Sequence, residues 1–217
     1  MGIKHHLTES LLMGYAAGTL PEAFSLVVAT HVSMCDDCRA RLEALESLGG
    51  AVLEAQGMEA AGISAMEAGA LDAVLARLDA TPEPRLARAA SGTLPGPLRD
   101  YVGGDVEAVR WRPVGMGVKQ AILPTSKSAS ARLLYIPAGA AMPDHGHRGM
   151  ELTLVLQGAF TDEDDRFGPG DVEVADEELN HTPVADIGED CICLAATDAP
   201  LRFNAWLPRL AQPFFKI

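Results

Sequence analysis

The chain has 217 residues, 48% hydrophobic and 22% charged, which is enough apolar material for one large or two small cores and excludes a disordered chain. Lys and Arg number 17 against 30 Asp and Glu, a formal net charge of -13; such a surface disfavours direct DNA or RNA binding and suits a basic partner, with simple solubility the plainer reading. No apolar stretch reaches the ~20 residues of a membrane span. The apolar run near the N-terminus follows His5 and His6 rather than a basic leader and is broken by Gly14, Gly18 and Pro21, so no signal peptide is expected and a cytoplasmic location is.

Leu7, Leu11, Leu12 and Tyr15 recur at helical spacing. Thr19-Leu-Pro-Glu22 has the form of a capping box with Pro21 in the first turn, predicting a second helix from there to near His31. Asp36 to about Gln56 reads as a third helix, with Leu42, Leu45, Leu48 and Leu53 mostly on one face and Gly49-Gly50 midway. A fourth starts near Ser64, with Met66, Ala70, Leu71, Val74, Leu75 and Leu78 as its stripe. The loose stretch from Gly57 to Gly62 before it leaves it free to pack in its own bundle or to dock on a partner. Residues 81–98 carry Pro82, Pro84, Pro95 and Pro97 and read as a semi-extended linker.

After Leu98 the period changes to two. Ala131–Ile136, Glu151–Leu156, Asp171–Val174 and Cys191–Leu194 read as short strands separated by Gly- and Pro-rich turns, which suggests a β-sandwich or barrel. The expectation is therefore a multidomain α + β chain: a small helical bundle over 1–80, a linker over 81–98, and a β-barrel over 99–217.

Two constellations carry chemistry. In His31-Val-Ser-Met-Cys35-Asp-Asp-Cys38, His31 and Cys35 lie about one helical turn apart, and Cys35 and Cys38 can grip one ion across a helix start. Thiolates plus imidazole in a tetrahedral array suit Zn²⁺, and a closed set of four leaves no place for a substrate, so the role is structural. A fourth ligand must come from elsewhere, with His5 and His6 as the available donors. The segment resembles the zinc-binding anti-sigma domain, and that resemblance selects His6. It implies a helical bundle that wraps a group IV (extracytoplasmic function, ECF) sigma factor and blocks its access to core RNA polymerase.

The second runs from Gly139 through His145, His147 and Glu151 to Gly158. His-x-His on a strand points both imidazoles to one face, and Glu151 returns from the next strand to the same ion. Three nitrogens and a carboxylate suit zinc, iron, manganese or nickel. This spacing resembles the first cupin motif, G-x5-H-x-H-x3-E-x6-G, and Phe167-Gly-Pro-Gly-Asp171 resembles the turn of the second. The third histidine that the motif implies is His181, which lies farther past that turn than usual. Cys191 and Cys193 share a strand face; they read as small barrel-interior residues, with separate oxidation of each thiol the sharper alternative.

Whole phrases are more specific than either motif. Pro143–Gly149, Glu151–Phe160 and Cys191–Phe203 resemble the ChrR-type anti-sigma factors, in which a zinc-binding anti-sigma domain is fused to a cupin. The resemblance spans both halves in order and implies a cupin double-stranded β-helix and two Zn²⁺ per chain. It also implies a 1:1 complex with an ECF sigma factor of the SigE/RpoE type, released under oxidative stress, notably singlet oxygen. No catalytic residue is expected. The alternatives are a metal-dependent cupin oxygenase or isomerase with a helical appendage, which would need iron with an open position, and a metal-storage or metal-sensing protein.

Overall fold

A computed structural model describes residues 2–57, 67–79 and 92–203. Ser64 and Met66 of the expected fourth helix, and residues 81–91 of the expected linker, lie outside that range. Thr8 starts α1 (Glu9–Ala16): its hydroxyl accepts the Leu11 amide at 3.3 Å. The next helix, α2 (Glu22–Met34), runs three residues past His31. No capping box forms, because Pro21 occupies the cap position and the Thr19 hydroxyl turns back to the Gly14 carbonyl. Glu22 is drawn instead across to the second half of the chain, where its carboxylate accepts from Tyr101 Oη at 2.8 Å and from the Ser126 amide at 2.6 Å.

Cys35 is extended and ends α2, and α3 (Asp36–Gly57) starts at once, with Asp36 and Asp37 favourably placed in its first turn. Leu42 is buried and Leu45 packs against the core, but Leu48 and Leu53 are 62% and 73% exposed. The one apolar face expected along α3 is thus covered only at its start. In α4 (Ala70–Asp79) Leu71, Val74, Leu75 and Leu78 are all about half exposed or more.

Residues 92–98, read with the linker, are partly packed. Leu94 and Leu98 are fully buried, and Leu98 lies in α5 (Gly96–Val102) against α2. The strands that follow are β1 (Arg112–Gly115), β2 (Val118–Leu123), β3 (Ser130–Ile136), β4 (His145–Gly146), β5 (Glu151–Gln157), β6 (Phe160–Thr161), β7 (Arg166–Phe167), β8 (Val172–Ala175), β9 (Asn180–His181), β10 (Val184–Ala185), β11 (Cys191–Thr197) and β12 (Arg202–Phe203). A six-stranded sheet of order β1-β2-β3-β11-β5-β8 is joined by two small sheets, β10-β6-β7 and β12-β4-β9. The pairings are antiparallel, as expected for a cupin barrel.

The central strands of the large sheet, β3, β11 and β5, are buried on both faces. Leu152, Leu154 and Leu156 of β5, Ile192 and Leu194 of β11 and Leu133 of β3 join one core with Leu7, Leu12, Val27 and Val28 of the helical region. The alternate residues Val155, Cys191, Cys193 and Ile136 line the barrel interior with Phe160 and Phe167. The helices therefore lie on the sheet's outer face and share its core. Leu98→Ala, which opens a cavity between α5 and α2, should destabilise the chain by about 2–5 kcal/mol, read as a lower urea midpoint.

Candidate metal centres

The front cluster forms where α2 meets α3. His6 Nδ1 lies 3.3 Å from Cys35 Sγ and 3.6 Å from Cys38 Sγ. With His31, one donor atom from each of these four residues falls within 4.8 Å of the others. His31 is fully buried, and its Nδ1 bonds the Gly170 carbonyl at 2.9 Å. Donating there, Nδ1 carries the proton, so Nε2 is a lone pair; it is buried and has no hydrogen-bond partner. That orphaned atom and two thiols around one point fit a tetrahedral Zn²⁺. Burial lowers the His31 pKa from 6.5 to about 4 and raises that of Cys38. Without a cation His31 would thus be a neutral imidazole and Cys38 a thiol, and an ion would draw out the thiolate.

His5, the other donor weighed for this site, faces away from it. Its Nε2 meets Asp165 at 3.0 Å, its ring packs on Phe167, and its amide donates to Asp171 at 2.9 Å.

The second cluster lies inside the barrel, where β4 and β9 pair so that His145 and His181 are register partners. His181 Nε2 is 3.2 Å from His145 Nε2 and 3.3 Å from His147 Nε2, and all three rings are buried. His145 Nδ1 donates to the Pro143 carbonyl at 2.8 Å. His181 Nδ1 lies 2.9 Å from Glu173 and 3.4 Å from Asp162. With protons held on those Nδ1 atoms, Nε2 lone pairs face one another at van der Waals distance, an arrangement that a cation relieves. The donor set fits a divalent transition metal. Burial lowers the pKa of both His145 and His147 to about 4. It works the same way on His181, but Glu173 and Asp162 outweigh it and raise that pKa.

Glu151 is brought alongside rather than into the three-histidine group. Its carboxylate is 3.9 Å from His147 Nδ1 and accepts from Thr153 at 3.2 Å. Burial raises its pKa against the opposing pull of Arg132. Glu173 and Asp162 are absent from the sequence reading. They pair behind His181 and form with it a second group of mutually close donors. Burial lifts the Glu173 pKa to about 7. Cys191 and Cys193 are interior, as expected, with sulfurs 3.4 Å apart.

Residues 100–200 match the family model described as the ChrR cupin-like domain. The chain is 62% identical to the anti-sigma-E factor ChrR of Cereibacter sphaeroides, covering 100% of each protein. The chain belongs to the ChrR family of anti-sigma factors. Its fold superposes on the ChrR chain in the crystal structure of Rhodobacter sphaeroides SigE in complex with the anti-sigma ChrR. The TM-score is 0.78 at 59% identity, covering 90% of this chain and 99% of that one. Membership of the ChrR family makes the chain a regulator, not an enzyme, and sets the oxygenase alternative aside. Among the described residues no helix is long and apolar enough to cross a membrane.

Two outcomes follow for this ChrR-family chain. Glu173→Gln keeps the shape but loses the charge behind His181, and should weaken metal retention in the barrel by about 10–100-fold, read by chelator competition, while the front site keeps its ion. In metal-free protein His31, His145 and His147 take up protons near 6.5 when unfolded but only near 4 when folded. Their stabilisation is present above pH 6.5 and lost toward pH 4; Glu173, raised to about 7, and Glu151, also raised by burial, run the other way and offset part of it. The urea midpoint should therefore fall between pH 6.5 and 4.

Proposed function

We propose that this chain is an anti-sigma factor whose helical half, residues 1–80, binds and inhibits a group IV sigma factor of the SigE type in the cytoplasm. The barrel over 99–217 then releases that factor when oxidative stress, notably singlet oxygen, acts at its metal centre. The observation that carries the reading is the 62% identity, over the full length, to a protein named as an anti-sigma-E factor, together with the fold shared with the ChrR chain of a SigE complex.

The surface supports it. Leu71, Val74, Leu75 and Leu78 of α4 and Leu48, Val52 and Leu53 of α3 are exposed, and apolar helix faces of this extent mark partner surfaces. Met13, at 56% exposure, fits the same role. Leu26 of α2, by contrast, is 4% exposed and belongs to the core. An inhibitor that outcompetes polymerase needs an interface well over ~1,000 Å², and the net charge of -13 suits a partner whose own surfaces meet DNA.

We assign Zn²⁺ to both centres, with His6, His31, Cys35 and Cys38 holding the first. His145, His147, His181 and Glu151 hold the second, where a small movement of the Glu151 carboxylate completes the set. The first ion fixes the chain start to the α2–α3 junction. A route between the centres runs along one segment: Gly170 O holds His31, and three residues on, Glu173 lies 2.9 Å from His181. Oxidation of the residues that hold the barrel ion, or of the thiols, would shift β8 and so loosen the front cluster.

Tagged full-length protein should retain a group IV sigma factor from the same genome in 1:1 ratio when zinc is present. Cys35→Ser should abolish retention, and Leu71→Asp with Leu78→Asp should weaken it at least about tenfold with an unchanged urea midpoint. His145→Ala and Glu151→Ala should keep retention and lose the stress response. A wild-type chain that retains no sigma factor, or a His145→Ala chain that releases it constitutively, contradicts the reading.

A further inference from the structure

The four side chains of the front cluster are held in place by different means. Cys35 and Cys38 sit where α2 closes and α3 starts. His31 is fixed through its ring, by the Gly170 carbonyl. His6 precedes α1, outside any helix, and its Nδ1 faces the two sulfurs. A ligand that is not oriented keeps its freedom until the ion arrives, and the cost of ordering it is then taken from affinity.

Among the described residues, the polar contacts that could orient His6 lie on the backbone to either side of it. On one side Arg41 of α3 donates to the Leu7 carbonyl at 3.3 Å, and the Leu7 side chain is buried. On the other side the partner belongs to the barrel. Asp171, 5% exposed, accepts the Lys4 amide at 2.6 Å and the His5 amide at 2.9 Å on one carboxylate oxygen. The Val172 amide donates to the His5 carbonyl at 3.2 Å. Three bonds to two consecutive residues leave the chain little freedom just before His6. They also exceed what the turn itself requires, because the Gly168 amide, at 2.8 Å on the other oxygen of Asp171, already closes it.

We propose that Asp171 is a positioning residue for the front metal centre. Its carboxylate is not one of the four donors. By fixing the backbone at Lys4 and His5 it holds His6 at the cluster, so an acid of the barrel sets how tightly the helical half keeps its ion. The inference rests on the assignment of an ion to the front cluster made above. It gives the barrel a hold on that ion: a displaced β7–β8 turn slackens His6 before any front ligand is itself changed.

The test is chelator competition on full-length, cobalt-loaded protein, followed at the thiolate-to-cobalt charge-transfer band, which the imidazole and carboxylate donors of the barrel do not give. Asp171→Ala should weaken the front site by about 10–100-fold. In a His6→Ala background the same substitution should cost less than about twofold, because the residue through which it acts is gone. Lys4→Pro removes one of the two amides from the chain-start side and leaves the barrel turn intact; it should weaken the site about tenfold, the worth of a hydrogen bond to a charged group. Unchanged affinity in either Asp171→Ala or Lys4→Pro overturns the proposal. So does an equal loss with and without His6, which would mean that Asp171 acts through the fold at large. Should Asp171→Ala fail to fold, Lys4→Pro decides alone. A wild-type chain that gives no charge-transfer band sinks the metal assignment itself and the functional reading built on it, whereas a wild-type band that the variants leave unmoved sinks only this inference.

Discussion

The front half of the molecule hangs from one turn of the back half. Asp171 closes the Gly168–Asp171 turn by accepting the Gly168 amide at 2.8 Å, and its other oxygen accepts the amides of Lys4 at 2.6 Å and His5 at 2.9 Å. The Val172 amide returns a bond to the His5 carbonyl. Burial alone would raise the Asp171 pKa, but these amides outweigh it and hold the group ionised. His6 is the next residue along the chain, so the turn sets where it can reach. One position earlier, the Gly170 carbonyl fixes the proton on His31. Gly170 sits at φ +91, a conformation that favours glycine, with the Ile3 side chain packed directly over it.

The shared core has the same origin. A sheet with one solvated face alternates apolar and polar residues, whereas one covered on both sides does not. β5 reads Glu151-Leu-Thr-Leu-Val-Leu-Gln157 and β11 reads Cys191-Ile-Cys-Leu-Ala-Ala-Thr197; in each the residues pointing away from the barrel interior are Leu, Ile or Ala. The helices supply the missing layer. The second apolar face of these strands is the signal in the sequence that another layer covers the sheet.

Local patterns were legible and long-range partners were not. His31, Cys35 and Cys38 fall within eight residues, and the close of α2 at Cys35 with the start of α3 at Asp36 brings them together; β3, β5 and β11 are likewise legible because their patterns are local. The capping box failed because Glu22 finds Tyr101 and Ser126, contacts that no local rule contains. Leu48 and Leu53 have helical periodicity, but periodicity names a face and not what covers it. Glu173 escaped notice because one acid in an alternating strand reads as the solvated side. Here the alternation is inverted: Glu173 is buried at the histidines, while Val174 is 37% exposed. Asp162 was hidden in the acidic run Asp162–Asp165, which reads as a solvated turn.

The two centres differ in charge, and that difference fits a division of labour. Two thiolates cancel a divalent ion, and two neutral imidazoles add nothing, so the front site would be closed and electrically balanced. Nothing is left over to recruit a ligand or to respond to one, which is what a structural clip between α1, α2 and α3 requires. In the barrel, three imidazoles and Glu151 cancel only part of the ion's charge. The Glu173–Asp162 pair stands behind His181, and Arg132 faces Glu151 beside an open apolar cavity. A change at that centre, whether loss of a ligand or its oxidation, acts within hydrogen-bond reach of β8. Because β8 begins at the turn that holds His31 and the chain start, the strand that would feel the change is also the one from which the front half is suspended.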